Sequence, residues 1–198
     1  MPRRLRIEVE NGIFHVASRA VDNAFAYRGV RDREDFLDFL WTTVGTYEWL
    51  CQSYCLMGTH YHLIIQTPNA NLAAGMQMLN GRYAQRFNWR YERHGHLFAG
   101  RFVSVHVQDE EHLMAAHRYV ARNPVRAGLC AHPRNWEWSS FGALAGLEPP
   151  PIFLDVSGAL TAFAATGKSA EASFAATVTA ASSPLDDLPC KLAETVGV

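Results

Sequence analysis

Apolar and polar positions along the chain repeat with a period that changes from block to block, and the period marks the elements. Gly12 to Arg19 (GIFHVASR) alternates well enough for a strand. Phe36, Leu37, Leu40 and Val44 then fall at helical spacing, predicting a helix from Arg33 to about Thr46, with Asp32 as its cap and Asp35 at the capping-box position. Trp49 to Met57 reads as a second strand, Gly58-Thr59 as a tight turn, and His60 to Thr67 as a third strand that closes a hairpin. Pro68-Asn69 breaks the pattern. Leu72, Met76, Leu79, Tyr83 and Phe87 predict a long helix to about Trp89, capped by Asn71. Phe102 to Val107 is a fourth strand, and Asp109 caps a last helix through about Arg122, which Pro124 is expected to stop.

The order β-α-β-β-α-β followed by a helix predicts an α+β fold: a ferredoxin-like antiparallel sheet with two helices on one face and the other face open. After Gly146 the texture changes. Glu148-Pro149-Pro150-Pro151 is a breaker, and Thr161 to Ser183 is rich in Ala, Thr and Ser. The chain therefore divides into a domain over residues 1–145 and an acidic appendage over 146–198. Two readings of the appendage stay open. It is weakly packed and partly disordered, or it is a small helical extension packed by Phe153, Leu160, Phe163 and Phe174.

Composition narrows the class. Of 198 residues, 48% are hydrophobic and 19% charged, which excludes bulk disorder. No apolar run approaches the roughly 18 residues of a membrane span, no signal-peptide core follows the start, and four Cys at irregular spacing make no disulfide framework. A cytoplasmic protein away from membranes is expected. The net charge of −1 at first argues against a nucleic-acid partner. The charge is uneven, however. Residues 1–145 hold 16 Lys+Arg against 13 Asp+Glu, and residues 146–198 hold 2 against 6. Leu72 to Arg134 holds 9 Arg against 4 acidic residues, and six of the nine His. Every basic residue before Lys168 is Arg, the side chain shaped for bidentate phosphate contact.

Two constellations carry candidate chemistry. In His60-Tyr61-His62, strand alternation turns both imidazoles to one face, where two His can share a metal ion; surface or internally satisfied histidines meet the same spacing. On the last helix, Tyr119 and Asn123 lie one turn apart on one face, His112 lies two turns earlier, and Arg126 falls two turns beyond Tyr119 if the helix continues. A Tyr oxygen can be a nucleophile and an Asn carbonyl oxygen a ligand for Mg²⁺ or Mn²⁺. A buried Tyr with a satisfied hydroxyl, and Asn123 as a helix C-cap, meet that spacing as well. His94-x-His96 repeats the pattern in a loop, without Cys at finger-like spacing for structural zinc. Cys51 and Cys55 share a strand face by parity and are expected in the core. Carboxylates are sparse beside the His pair, which argues against a two-metal carboxylate nuclease.

Several long motifs, in order, resemble one family. They are Arg4 to Glu8 (RLRIE), Phe14 to Arg19 (FHVASR), Tyr54 to Pro68 (YCLMGTHYHLIIQTP), Asn71 to Asn88 (NLAAGMQMLNGRYAQRFN), Gly95 to Phe102 (GHLFAGRF), Arg118 to Leu129 (RYVARNPVRAGL) and Trp136 to Phe141 (WEWSSF). Together, over roughly residues 3–155, they resemble the single-tyrosine transposases of the HUH nuclease superfamily, most of all the REP-associated tyrosine transposases. The resemblance implies the HUH nuclease fold, in which the additional C-terminal helix carries the nucleophile. It maps the metal-binding pair onto His60 and His62, the nucleophile onto Tyr119 and the third metal contact onto Asn123. It further implies Mg²⁺ or Mn²⁺ as cofactor and a 5′-phosphotyrosine intermediate. The implied substrate is single-stranded DNA beside REP-like hairpin palindromes, cut by a monomer, although dimers with swapped helices occur in the wider family.

The DNA-binding candidates are Arg82, Arg86 and Arg90, spaced every four residues on the second helix, with Arg93, His96 and Arg101 after it and Arg19 in the first loop. The chain departs from the family at Met57-Gly58-Thr59-His60, where Met-Pro-Asn-His is common, at Ser18-Arg19-Ala20-Val21 in place of Ser-Arg-Gly-Asn, and in its acidic tail. Two other readings compete: a catalytically idle DNA-binding module on the same fold, and a metal-dependent phosphodiesterase that uses water. The tail is expected to act as an electrostatic brake, so that deleting residues after Gly146 raises DNA affinity at low salt if the fold survives.

Overall fold

The central strand of the fold is the first one. In the computed structural model, which describes residues 8–164 and 167–186, β1 (Gly12–Arg19) pairs antiparallel with β3 (His60–Thr67) on one side and with β4 (Val103–Val107) on the other. β2 (Leu50–Leu56) pairs antiparallel with β3, so the sheet order is β2-β3-β1-β4. This is the ferredoxin-like arrangement that the element order predicts. The first seven residues, with the Arg4 to Ile7 part of the first motif, and the acidic tail from residue 187 lie outside the described residues.

The helices divide between the two faces. α1 (Val30–Tyr47) and α2 (Leu72–Arg90) lie together on one, where Phe36, Leu40, Met76, Leu79 and Tyr83 close over Val16, Leu63 and Ile65. The Tyr61 hydroxyl, on this face by alternation, donates to Asn80 Oδ1 at 2.6 Å. Gly75 is obligatory here: a Cβ would lie 2.1 Å from the Trp49 ring. The Trp49 indole, seated against α2, donates to Asn71 Oδ1 at 2.8 Å. Asn71 precedes α2 as expected but spends its side chain on Trp49 and Tyr47, not on the helix.

α3 (Glu110–Arg126) covers the other face, where Leu113, Ala116 and Val120 pack on Cys55, Met57, Ile64 and Val107. Three expectations are corrected. First, α1 starts at Val30, so Asp32 sits in its first turn, at the capping-box position expected of Asp35, and accepts from the Arg28 and Gly29 amides at 2.8 and 3.3 Å. Second, a bulge between Cys51 and Ser53 shifts the β2 register, pairing Cys51 with Ile65 and Cys55 with His62. The two thiols therefore face opposite sides of the sheet. Third, α3 runs through Pro124 to Arg126. A proline in a last turn forfeits one backbone hydrogen bond, and burial of this helix on the sheet outweighs it.

Of the two readings left open for the appendage, the packed helical extension is the one the described residues follow. α4 (Phe141–Leu144), α5 (Val156–Leu160) and α6 (Ala170–Thr179) bring Phe141, Leu160, Phe163, Phe174 and Val178 into the same core as α1 and α2. Phe174 stands 5.2 Å from Phe163 and 5.8 Å from Phe141, centroid to centroid. The described part of the tail is thus packed helix, not loose chain. Residues 138–155, which span the expected boundary, cover the edge strand: Leu56 N donates to Trp138 O, Ser140 N to Tyr54 O and Asp155 N to Cys51 O, at 2.8–3.0 Å. No helix among the described residues is long and apolar enough to cross a membrane.

Candidate active site

Register alone gathers half of the site. Across β1 and β3, Arg19 is opposite His60 and Ala17 opposite His62, so Arg19, His60 and His62 share the α3 face. His15, two residues before Ala17, shares it too. α3 then lays Tyr119 and Asn123 over these side chains, one turn apart. The Tyr119 ring stands edge-on to His62 with centroids 5.4 Å apart, and 5.5 Å from His15. Asn123 Nδ2 is 3.2 Å from His62 Nε2. Because α3 continues past Pro124, the Arg126 guanidinium reaches the Tyr119 ring, 5.1 Å from its centroid.

Both histidines of the pair are held from behind. His60 Nδ1 is 3.0 Å from the Thr59 hydroxyl, and His62 Nδ1 is 3.1 Å from His15 Nε2. Their rings lie 5.1 Å apart at right angles. His60 Nε2 is buried without a hydrogen-bonding partner. Burial, then the Arg19 charge, pulls the His60 pKa down to about 4, with Asn123 pulling the other way. Burial followed by His15, His60 and Arg19 holds His62 well below its ordinary value. Burial, His112 and His117 lower His15 to about 3. All three imidazoles are neutral near pH 7, the form that carries a lone pair for a metal.

The donor set fits a divalent cation. Two neutral imidazoles have Nδ1 anchored, one Nε2 lacks a partner, and an amide lies against the other. Turning the Asn123 amide would present an oxygen in place of its nitrogen. Among the described residues no three His, Cys, Asp or Glu side chains converge to hold a metal, so the set here is two imidazoles and an amide. His94 and His96 are exposed in their loop and stand apart from the pair.

The arginine candidates fall in three places. Arg19 is in the site, with Nη1 donating to Asn23 Oδ1 at 2.9 Å. Arg82 and Arg86 are exposed on α2, behind the sheet, where they line a groove of about 360 Å³ with Phe39, Gln85 and Trp89. Arg90 does not continue that exposed row. Its guanidinium turns inward to pair with Asp32 and Asp35, two buried carboxylates that require a counter-charge. Arg93 is half-buried, its guanidinium 5.7 Å from the Phe87 centroid. His96 and Arg101 are exposed on either side of a segment tied to the end of β1, where Val21 N donates to Leu97 O and Ala99 N to Arg19 O, both at 2.9 Å. These bonds bring their loop to the Arg19 end of β1.

The sequence reading does not single out His15, although alternation in FHVASR places it on the Arg19 face. It also misses two arginines beside the nucleophile candidate. Arg118 is 1% exposed and donates to Val178 O and Ala180 O, each at 2.9 Å, while Arg122 donates to the same carbonyls at 3.1 and 2.8 Å. These groups cap the C-terminus of α6 and tie it to α3.

Comparisons with known proteins give the chain a family and a fold relative. Residues 9–123, more than half of the chain, match the family model described as IS200-like transposase. Among solved structures, the fold is similar to that of a REP-associated tyrosine transposase bound to a REP hairpin. The TM-score is 0.64 at 13% identity, over 75% of this chain and 89% of that chain. No curated protein matches the sequence.

Proposed function

The chain belongs to the IS200-like transposase family, and from that premise we propose that it nicks single-stranded DNA beside a REP-like hairpin and rejoins strands through a phosphotyrosine. The observation that carries the reading is the seating of the Tyr119 ring against His62, in one buried niche with His60 and Asn123. Among the described residues, no carboxylate accompanies these side chains as a metal ligand. A phenol beside two anchored imidazoles and an amide suits covalent attack on phosphorus better than two-metal activation of water.

Tyr119 Oη attacks the scissile phosphorus in line. The Oη–P bond forms as the bond to the 3′ oxygen breaks, the phenol proton passes to solvent, and the 3′ oxygen takes up a proton to leave as a 3′-OH. The 5′ end stays on Tyr119 as a phosphotyrosine. Attack by another 3′-OH reverses these changes and joins the strands without an external energy source. His60, His62 and Asn123 would hold Mg²⁺ or Mn²⁺, which supplies Lewis-acid polarisation of the phosphate. Arg19, opposite His60, and Arg126, against the Tyr119 ring, bring positive charge to the niche for an entering phosphate.

A hairpin partner is supported by the fold neighbour, which is bound to one. His96 and Arg101 are the DNA contacts proposed nearest the site; Arg82, Arg86 and Trp89 offer a further basic and aromatic surface for single strand. The packing of Tyr119 on His62 within one chain supports a monomer as the working unit.

The test is incubation with labelled hairpin oligonucleotides and Mn²⁺. A covalent adduct that disappears in Tyr119→Phe, while hairpin binding persists, supports the reading. Cleavage retained by Tyr119→Phe would point to water as nucleophile, and no adduct on any REP-like hairpin would leave only DNA binding.

A further inference from the structure

We propose that His15 is a positioning residue: it keeps the proton of His62 on Nδ1 and so presents the His62 Nε2 lone pair to the cation. The inference rests on the metal-site reading given above. A neutral imidazole has one N–H and one lone pair, and its neighbours decide which nitrogen carries which. On one side of His62, the Asn123 amide nitrogen is 3.2 Å from Nε2. With the amide nitrogen on that side its N–H donates, so Nε2 accepts and the ring proton is on Nδ1; turning the amide to bring its oxygen to a cation leaves the same lone pair facing the metal. On the other side, Nδ1 is 3.1 Å from His15 Nε2. Nδ1–H therefore donates to His15, whose own proton is on Nδ1. The opposite arrangement, with His15 donating, would put the His62 proton on Nε2, facing an N–H and blocking that nitrogen as a ligand.

The position leaves no substitute for His15. It and His62 are 0% and 1% exposed, so water does not take over the bond. The two rings lie 5.2 Å apart, and Tyr119 packs edge-on against both, so rotation of His62 would disturb Tyr119 as well. His60 is oriented by the Thr59 hydroxyl from its own strand end. His62 takes its orientation from a different strand, which couples β1 to the site. Ligating histidines are commonly backed by a carboxylate or carbonyl; a neutral imidazole does the same here without burying a charge.

Two measurements test this. In metal-free, ¹⁵N-histidine-labelled protein, His62 is expected as the Nδ1–H tautomer with its proton shared toward His15. Finding His62 as Nε2–H overturns the proposal. Mn²⁺ binding, followed by the EPR signal of free Mn²⁺, is then compared between the wild-type chain, His15→Phe, which keeps a ring without an acceptor, and His15→Gln, which keeps an acceptor. His15→Phe is expected to weaken Mn²⁺ binding by about 10- to 100-fold, with most of it recovered in His15→Gln. Equal affinity in the wild type and His15→Phe, or equal loss in both variants, overturns the role of His15 and leaves the metal site standing. Absence of Mn²⁺ binding by the wild type removes the metal site itself. Thermal unfolding checks that each variant is folded; should His15→Phe not fold, the wild-type tautomer and the His15→Gln affinity decide.

Discussion

Arg118 donates to the Val178 carbonyl at 2.9 Å, tying the residue next to Tyr119 to the last turn of α6. A planar guanidinium spans the Val178 and Ala180 carbonyls together, which a single ammonium does not do. Arg118→Lys keeps the charge and loses the fork. It is expected to lower unfolding free energy by roughly 2 kcal/mol, measured by urea denaturation, because a buried charge and carbonyls lose partners. Arg122 shares those carbonyls, so Arg122→Lys should cost less alone and more in the Arg118→Lys background. Strict additivity would mean the two arginines do not act as one clamp.

The same contacts change what removal of the tail does. A chain ending at Gly146 loses Phe163, Phe174 and Val178 from the core and strips the partners from the fully buried Arg118 side chain. Such a truncation is expected to lose cooperative thermal unfolding in circular dichroism. The electrostatic brake read from the charge imbalance therefore cannot be tested by deletion, since the tail is part of the packed structure. A truncation that unfolds cooperatively near the full-length midpoint would show that the tail contributes little to the core.

The sheet and the site were legible because both rest on short-range periodicity. Alternation puts His60 and His62 on one face, and the spacing of four puts Asn123 beneath Tyr119. What escaped depends on contacts between distant segments. The β2 bulge that sends Cys51 and Cys55 to opposite faces leaves no mark on the local pattern. Pro124 reads as a stop, yet the helix continues because its apolar face is buried on the sheet. In the tail a few large residues, Phe163 and Phe174 above all, suffice to dock an Ala-rich helix that looks too weak to pack. Nothing in the local pattern marks Arg118 as buried; the carbonyls that hold it come from α6, some 60 residues further along the chain.

Arg86 and Arg90 separate two uses of one helix face. Arg86 is exposed, with its guanidinium 6.0 Å from the Trp89 centroid, whereas Arg90 neutralises Asp32 and Asp35. Arg90→Ala leaves buried Asp32 without its counter-charge and Asp35 with only the exposed Arg31, 3.4 Å away, and is expected to cost about 2 kcal/mol in urea denaturation. Arg86→Ala should leave stability within about 0.5 kcal/mol. If α2 contacts single-stranded DNA, it should also reduce the salt dependence of binding by about one charge. An unchanged salt slope for Arg86→Ala would confine DNA contact to the α3 side.

His117 sets an acid limit on stability. It is 0% exposed, its ring lies edge-on to Phe163 and Phe174, and neither nitrogen has a hydrogen-bonding partner. Burial lowers its pKa from 6.5 to about 3. Between those values the unfolded chain binds a proton that the native protein refuses, so stability falls as the pH drops. The loss is up to roughly 1.4 kcal/mol per pH unit for each such histidine, and the contribution is flat above 6.5. His117→Leu removes one of these protons from the unfolded state and an unsatisfied ring from the core. Unfolding free energy measured from pH 3.5 to 8 should therefore be higher than wild type at pH 8 and should decline less steeply below 6.5. The slope that remains belongs to His15, His60 and His62, whose lowered values open the same acid window. An unchanged acid limb in His117→Leu would mean that His117 takes up its proton in the native state, which requires water to reach the interface between α3 and the tail.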